Sequence, residues 1–508
     1  MPILTGNLSA SDFEKIVFHN AQISLDPAIV SKAEKSFDFL SKFAQDKVIY
    51  GVNTGFGPMA QYRINDEKRQ ELQYNLIRSH ATGMGATFSA LYAKATLLAR
   101  LNSLSLGKSG IHPDALQIMT QMLNNGISPV IFEHGGVGAS GDLVQLAHLA
   151  LGLIGEGDLL VNDQKKPAQE AFKDLEIQPL KMHLREGLAI MNGTSAMSGI
   201  GMINLILGKK LLNWIVAASA MITEIVKAYD DHLSVPLNDA KKHAGQQEIA
   251  TAMRAHLEDS SLSRKREHHL YNGKNNESIF KEKVQEYYSI RCVPQILGPV
   301  LDTIKNAEKV LVEEINSAND NPIVDVEQKQ VFHGGNFHGD YVSLEMDKLK
   351  LVTTKMTMLA ERQLNYLLNP RLNEILPPFV NMGKLGLNFG MQGAQFTATS
   401  TTAESQTLSN SMYVHSIPNN NDNQDIVSMG TNASLMTKKV IDNGFDVVAI
   451  QMVTLAQAID YLEISDKISS RSKEIYQNIR AIFPAFKEDE PMFKKLAAVK
   501  EFLMKIEE

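Results

Sequence analysis

The sequence predicts a mainly α-helical protein in which a bundle of long helices follows a mixed N-terminal domain. Apolar residues recur at spacings of three and four over 203–229 and again over 349–366, the pattern of one buried stripe along a helix. Asn369-Pro370 is expected to end the second helix. The segment 446–462 is apolar on almost every side, so we expect it to be buried all round. Helices of this kind indicate a bundle that is shared between subunits.

The region before residue 190 has a mixed character. Short helical segments such as 89–104 alternate with glycine-rich loops such as 50–60 and brief extended pieces such as 128–134. The predicted domains are therefore residues 1–190 and residues 191–508. Between the later helices lie loops rich in amides and glycine, a layout typical of an active site carried on rigid supports.

The composition argues against several classes of protein. The chain has 508 residues, 44% of them hydrophobic, and a net charge of −7, so it can bury a large core and has no basic field for nucleic acid or acidic membranes. Its single cysteine, Cys292, excludes a disulfide framework and a multi-cysteine metal site, and no other metal site is predicted. The N-terminus lacks the pattern of a signal peptide, and Lys209, Lys210 and Glu224 interrupt the most apolar segment, 195–229. We expect a cytoplasmic protein that binds neither membranes nor nucleic acid.

The segment 134–157, "HGGVGASGDLVQLAHLALGLIGEG", raises the question of a dinucleotide site. Residues 136–141 match G-x-G-x-x-G, an extended piece precedes them, a helix follows, and Glu156 stands near the position of a ribose-binding acid. However, Glu156 lies between two glycines, and no strand–helix alternation follows to build a parallel sheet. A nucleotide-dependent oxidoreductase is thus one hypothesis, although the bare G-x-G-x-x-G pattern is not specific for nucleotide binding.

A second interpretation concerns Ala139-Ser140-Gly141 itself. If the amide nitrogen of Gly141 attacks the carbonyl carbon of Ala139, and Ser140 loses its hydroxyl as water, a five-membered ring with an exocyclic methylene results. This ring, 4-methylidene-imidazol-5-one (MIO), is a strong electrophile made without an external cofactor. Gly141 has no side chain to block the attack and can adopt backbone conformations that other residues avoid. Taken alone, the three residues are better explained as a glycine turn that caps a helix through Ser140 or Asp142.

The rest of the chain favours the ring. The motifs "YGVNTGFG", "GGVGASGDL", "GEG", "NGTSAM", "YSIRCVPQ", "SANDNP", "GGNFHG" and "NQDIVSMG" occur in this order. Over essentially the whole chain they resemble the aromatic amino acid ammonia-lyase and histidine ammonia-lyase family. The resemblance implies a fumarase/aspartase-like helical architecture with the MIO loop in the N-terminal domain. It also implies a homotetramer whose active sites each use loops of three subunits, and elimination of ammonia from an amino acid to give a trans-2-alkenoic acid.

The resemblance also implies roles for individual residues. Ala139-Ser140-Gly141 would be the electrophile and Tyr50 the base that removes the β-proton; since an ordinary phenol is a poor base at neutral pH, cations or donors must lie beside it. Asn192 would donate a hydrogen bond to the carbonyl oxygen of the ring. Tyr288 would help to activate the electrophile or would interact with the ammonia. Arg291 would bind the substrate carboxylate through two parallel hydrogen bonds from its planar guanidinium group. Further residues expected to line and close the pocket are Gln285, Asn321 and Phe337. Without the motifs, Tyr50 would be a packed loop tyrosine and Arg291 a surface charge.

Two positions bear on the substrate, and they disagree. Ser79-His80 looks like the pair of histidine ammonia-lyases, whereas Gln424, with Asn423 beside it, is the residue of the aromatic lyases; histidine ammonia-lyases have glutamate there. A neutral amide denies an imidazole a charge-assisted hydrogen bond of about 1.5–3 kcal/mol, while His80 can serve a phenol hydroxyl. Together with a close similarity to the tyrosine ammonia-lyases of flavobacteria, this predicts conversion of L-tyrosine to trans-4-coumarate. The alternatives are a histidine ammonia-lyase, a tyrosine 2,3-aminomutase and a purely structural helical assembly.

Overall fold

The computed structural model describes residues 3–272, 278–280 and 283–505, and within them it confirms the mainly helical class. The α-helices are α1 Ala10–Phe18, α2 Pro27–Phe43, α3 Arg69–His80, α4 Ala90–Leu104, α5 Asp114–Asn124, α6 Leu143–Leu153, α7 Ala168–Asp174, α8 Glu186–Met191, α9 Ser195–Ile225, α10 Val235–Asp239, α11 Ala244–His256, α12 Arg266–His269, α13 Tyr288–Arg291, α14 Val293–Ile315, α15 Asp340–Leu368, α16 Pro370–Asn373, α17 Gln392–Leu408, α18 Gly430–Leu462, α19 Ser470–Ile482 and α20 Phe493–Met504. The β-strands are β1 Ile3–Leu4, β2 Ser24–Leu25, β3 Met84–Thr87, β4 Ile127–Pro129, β5 Phe132–His134, β6 Asp158–Val161, β7 Gln164–Pro167, β8 Ile323–Asp325 and β9 Gln330–Phe332.

The core is a bundle of the four longest helices of the described chain, α9, α14, α15 and α18, in which α9 and α15 each pack against the other three. Their predicted apolar stripes face inward: Ile203, Leu211 and Ile215 of α9 are fully buried. Because burying one such side chain stabilises the fold by about 1.5–3 kcal/mol, these stripes determine how the helices pack. Helix α15 ends directly before Asn369-Pro370 as predicted, whereas Tyr229, assigned to the first stripe, lies beyond the end of α9.

The N-terminal region combines short helices and strands as predicted. Helix α4 and strands β4 and β5 fall on the segments 89–104 and 128–134. Helix α4 packs directly against α9 of the bundle, so the hydrophobic core is continuous across residue 190. The division into two domains at that residue stays a prediction.

The strand topology excludes the dinucleotide hypothesis. Strand β5, which precedes the glycine run, pairs antiparallel with β3, with Met84 opposite His134. The neighbouring sheet β4-β6-β7 is antiparallel as well. A dinucleotide fold needs parallel strands joined by helices around the glycine turn, so the nucleotide-dependent oxidoreductase is wrong.

Two helices, α9 and α18, are long and apolar enough to span a membrane by length and composition, but 78% of the most apolar window of each is buried inside the protein. Two of the three charged residues of α9 pair with other parts of the protein. Lys209 forms an ion pair with Glu308 at 2.6 Å, and Glu224 accepts the backbone N–H of Ser469 at 2.6 Å. Burial raises the pKa of Glu224. The two helices thus have the character of core helices.

Candidate active site

A cavity of about 520 Å³ gathers most of the residues that the sequence analysis selected. The selected residues that line it are Tyr50, Ser79, His80, Ser140, Asn192, Asn321, Phe337, Asn423 and Gln424. Ala139 and Gly141, which flank Ser140 in the chain, are buried. Part of the remaining wall is apolar, formed by Phe56, Met59, Leu72 and Leu188, which the sequence analysis did not select. Loops and helix ends far apart in the sequence therefore converge on Ser140.

The Ser140 residue is held by amides at both of its oxygens. Asn192 Nδ2 donates to the carbonyl oxygen of Ser140 at 2.8 Å, and Gln424 Nε2 donates to its Oγ at 2.7 Å. The loop that carries Gln424 is closed on itself, because Asn419 and Gln424 pair backbone to backbone. Both donors are neutral, so they orient Ser140 without adding a charge.

The backbone conformation and the surroundings of Gly141 leave no room for a side chain. Its φ is +71°, a conformation that L-residues rarely adopt. A Cβ there would lie 2.0 Å from the carbonyl oxygen of Gly193 and 2.7 Å from its nitrogen. The N–H of Asp142 donates to the same carbonyl oxygen at 2.7 Å. Residues 139–141 thus form a tight turn against Gly193 in which position 141 has no room for a side chain, which fits the space and backbone freedom that a ring built from them would require.

Asp142 joins this turn to two long helices. It is fully buried, and its Oδ2 accepts the N–H groups of Ala196 at 2.9 Å and Met197 at 2.8 Å, in the first turn of α9. Thr431 at the start of α18 donates to its Oδ1. Burial raises the pKa of Asp142 to about 6, although these hydrogen bonds oppose the rise. Asp142 therefore occupies the N-cap position of α6, as the cap interpretation predicted, but its side chain makes no cap hydrogen bond there. The side chain caps the first turn of α9 instead.

Asn192 is itself fixed by a network of hydrogen bonds that is buried on the side of Arg100. Its Oδ1 accepts the backbone N–H of Asn321 at 2.8 Å, and Asn321 Oδ1 accepts the N–H of Gly334 at 2.7 Å. The fully buried Arg100 donates from Nη1 to the Asn192 carbonyl at 3.1 Å and to Asn319 Oδ1 at 3.0 Å. Burial lowers the pKa of Arg100 to about 10. No motif marks Arg100, because it acts through residues far away in the chain, whereas Asn319 lies within the motif "SANDNP" but was not selected.

Tyr50 lines the cavity, and its hydroxyl oxygen accepts a hydrogen bond from the backbone. The backbone N–H of Gly57 donates to the phenolic oxygen at 2.9 Å, and the ring meets Phe56 edge-on with centroids 6.1 Å apart. The Tyr50 N–H donates to His333 Nε2 at 3.3 Å. Burial lowers the pKa of His333, which favours the neutral imidazole that can accept this bond. A hydrogen-bond donor is thus present where the sequence analysis required one.

The pair Ser79-His80 lies at the C-terminal end of α3. His80 Nδ1 is 3.0 Å from the carbonyl oxygen of Leu76 and 3.0 Å from Ser79 Oγ. Since the carbonyl can only accept, the Nδ1–H tautomer satisfies this bond. Nε2 is then the ring nitrogen that can accept a hydrogen bond from a ligand in the cavity.

Three of the selected residues lie elsewhere. Gln285, Tyr288 and Arg291 line a separate cavity of about 740 Å³, together with Lys283 and Arg362. The Tyr288 side chain is 69% exposed, and the Arg291 guanidinium lies over its ring at 4.7 Å. Arg291 Nε donates to the carbonyl oxygen of Glu286 at 2.8 Å. Within one chain, therefore, the structure does not bring these three residues to Ser140.

Comparison with known proteins places the chain among enzymes. The family model described as aromatic amino acid lyase matches residues 8–481. Curated relatives include a tyrosine 2,3-aminomutase of Myxococcus sp. (strain Mx-B0), 37% identical over 97% of this chain and 95% of its own length. A histidine ammonia-lyase of Stigmatella aurantiaca is 36% identical over 97% and 94%, and a tyrosine ammonia-lyase of Cupriavidus metallidurans is 35% identical over 94% and 91%. The crystal structure of a tyrosine aminomutase from Streptomyces globisporus matches with a TM-score of 0.94 and 34% identity, over 99% of this chain and 96% of that one.

Proposed function

Because the chain belongs to the aromatic amino acid lyase family of carbon–nitrogen lyases, we propose that it eliminates ammonia from L-tyrosine to give trans-4-coumarate. The observation that carries this proposal is the cavity that places Ser140 between Asn192 and Gln424, with Tyr50 and His80 on its wall. The purely structural alternative is wrong, since the family consists of enzymes.

The family implies the MIO group, and the turn at 139–141 fits it. Gly141 has no room for a side chain, and the Ser140 hydroxyl, which must leave as water, is held by Gln424. When formed, the ring supplies an electrophile that makes the amino group of the substrate a better leaving group. Asn192 would hold the carbonyl oxygen through its Nδ2 donor, and Tyr50 would take up the β-proton of the substrate at its phenolic oxygen.

The polar groups of the wall support tyrosine as the substrate. Gln424 is a neutral amide, which gives an imidazole no charge-assisted partner. The Nε2 atom of His80 can accept the hydroxyl proton of a phenol, and the apolar side chains of Phe56, Met59 and Leu188 suit an aromatic ring. Phenylalanine would leave His80 without that bond, which disfavours it.

The two cavities support a site completed by other subunits. The described residues that line the Ser140 cavity include no lysine or arginine, so one chain offers no cation there for the carboxylate of an amino acid. Arg291, Tyr288 and Gln285 lie together in the second cavity, where Tyr288 is largely exposed. We infer that these residues of one subunit complete the Ser140 cavity of another in a homotetramer.

Complementation between two inactive variants tests the shared site. Ser140→Ala and Arg291→Ala chains are each expected to be inactive when expressed alone. If the residues meet across subunits, random assortment on co-expression restores up to about a quarter of the sites. If each site uses both residues of one chain, every chain carries a defect and the mixture stays inactive, which would contradict the shared site.

The substrate is tested by following ultraviolet absorbance with L-tyrosine, L-histidine and L-phenylalanine separately. We expect coumarate from tyrosine, no product from Ser140→Ala, and unchanged turnover in the control Ser41→Ala, whose hydroxyl donates to Phe37 O within its own helix. Urocanate as the main product would mean that Ser79-His80 outweighs Gln424 and that the tyrosine proposal is wrong.

A tyrosine 2,3-aminomutase is the second candidate, favoured by the relatives and solved structures of that name. This reaction uses the same elimination and then returns ammonia to the β-carbon. Chromatography of the same reaction mixtures distinguishes the two. β-Tyrosine that accumulates ahead of coumarate would favour the aminomutase, whereas coumarate and ammonia in equal amounts support the lyase.

A further inference from the structure

A trio of potential metal ligands lies outside the candidate active site. His112 and Asp114 stand at the start of α5, and His183 stands just before α8. In the described part of the chain, their ligand atoms form a group within 4.8 Å of one another. His112 Nδ1 lies 3.2 Å from Asp114 Oδ2, and the rings of His112 and His183 are 4.4 Å apart between centroids with a tilt of 33°.

The backbone on both sides of this trio is fixed by one buried carboxylate. Glu186, the first residue of α8, is fully buried. Its Oε1 accepts the N–H of His112 at 3.0 Å, and its Oε2 accepts the N–H groups of His183 at 2.8 Å and Leu184 at 2.9 Å. The Glu186 carboxylate thus links the segment that carries His112 to the segment that carries His183, although the two are far apart in the sequence.

The two imidazole rings are also held from the side. Phe37 of α2 meets the ring of His112 edge-on at 5.1 Å and that of His183 at 5.8 Å. Packing of this kind limits the rotamers of both histidines, which lowers the conformational entropy lost when a ligand fixes them. Asp114 and His183 are exposed, so an ion can reach them from solvent.

We propose that His112, Asp114 and His183 form a binding site for a divalent transition-metal ion of the Zn²⁺, Co²⁺ and Ni²⁺ class. Two imidazole nitrogens and one carboxylate oxygen suit these ions, whereas Ca²⁺ and Mg²⁺ require sites made of oxygen ligands. Donor atoms around a tetrahedral Zn²⁺ lie about 3.3 Å apart, so small side-chain rotations close the trio onto the ion. The remaining coordination positions face solvent and would hold water.

This site was not predictable from the sequence, because the two histidines belong to separate segments and show no ligand spacing. The site is independent of the proposed reaction, since none of its residues lines the Ser140 cavity. An ion there would tie the segment before α5 to the segment before α8. We therefore expect it to raise the thermal stability of the protein, as any ligand of the native state does.

The test is a metal titration of tag-free, chelator-treated full-length protein at pH 8, because protons compete with metal ions for their ligands at lower pH. Zn²⁺ is titrated in competition with a chromophoric chelator, and Co²⁺ binding is followed by its visible absorption. We expect one ion per chain, and binding about 100-fold weaker or more in His183→Ala and in Asp114→Asn. His243→Ala, which removes another exposed histidine, is the matched control and should bind like the wild type.

The melting temperature provides a second readout with the same variants. Zn²⁺ should raise it in the wild type and in His243→Ala, but not in His183→Ala. Equal Zn²⁺ affinity in the wild type and in His183→Ala would overturn the proposal, and so would an absence of Co²⁺ absorption in the wild type. Since Asp114 and His183 are exposed, their replacement should leave the metal-free melting temperature nearly unchanged, which separates lost ligation from lost folding.

Discussion

Asn192 lends itself to a substitution that separates its two hydrogen bonds. Its Nδ2 donates to the Ser140 carbonyl at 2.8 Å, and its Oδ1 accepts the Asn321 N–H at 2.8 Å. Asn192→Asp keeps the acceptor and loses the donor, while Asn192→Ala loses both. A single donor that stabilises developing negative charge contributes about 2.7–4 kcal/mol, or roughly 100- to 1000-fold in kcat. The bond to Asn321 is a neutral one, worth about 0.5–1.5 kcal/mol of folding free energy.

These magnitudes predict different outcomes for kcat and for stability. Asn192→Asp should lose about 100- to 1000-fold in tyrosine turnover at saturating substrate, with a melting temperature within a few degrees of the wild type. Asn192→Ala should lose as much turnover and melt lower than Asn192→Asp. The ring absorbance of each purified variant is recorded in parallel. Turnover of Asn192→Asp within threefold of the wild type would refute the reasoning. Loss of the ring absorbance along with activity would refute it too, because Asn192 would then act in forming the ring.

Three further predictions concern single positions. Gly141→Ala should abolish turnover and the ring absorbance, because its Cβ would lie 2.0 Å from Gly193 O. The control is Gly126→Ala: Gly126 has a similar φ of +66°, but the nearest atom to its Cβ, Asn162 Oδ1, would be 3.7 Å away. This control should remain active and lose only about 1 kcal/mol of stability. Gln424→Glu should lower kcat/KM for tyrosine at least tenfold, by placing a charge beside Ser140; a rise in histidine turnover above that of tyrosine would contradict the assignment. Burial lowers the pKa of His256 to about 4, so the unfolded state binds its proton first, and stability should fall by roughly 3 kcal/mol as pH drops from about 6.5 to 4. This loss should be smaller in His256→Gln, as compared by melting temperatures across that range.

The helices could be predicted because the residues that determine each helix lie within its own segment of the sequence. Periodicity over 349–366 and the Asn369-Pro370 stop belong to one segment, and α15 ends where they indicate. The glycine run was ambiguous for the same reason: a strand, a glycine turn and a helix surround it in either hypothesis. What excludes the dinucleotide fold is the antiparallel pairing of β5 with β3, which depends on residues outside the motif.

The supports of the site were not predictable, because they act between distant segments. Asp142 reads as an ordinary cap of the helix that follows it, yet its carboxylate binds the first turn of α9. Glu186 was not selected from the sequence, yet it is fully buried and accepts hydrogen bonds from the N–H groups of His112 and His183. Side chains of this kind satisfy backbone groups that the fold leaves without partners, and only the tertiary structure reveals which groups these are.

The two cavities separate the groups expected to form the electrophile from the groups expected to recognise the carboxylate of the substrate. The Ser140 cavity carries the groups expected to make and hold the electrophile, and these depend on motifs such as "GGVGASGDL" and "NGTSAM". Recognition of the carboxylate requires a cation, and Arg291 lies in the other cavity beside the exposed Tyr288. The proposed completion of the site by a second copy of the chain would bring together surfaces that no single chain pairs. Elimination and ammonia return would both start from the same Ser140 turn, so the choice between them depends on how tightly the completed site retains the released ammonia and the unsaturated acid. The elements that close the site, rather than the Ser140 turn, are therefore where a lyase and an aminomutase would differ.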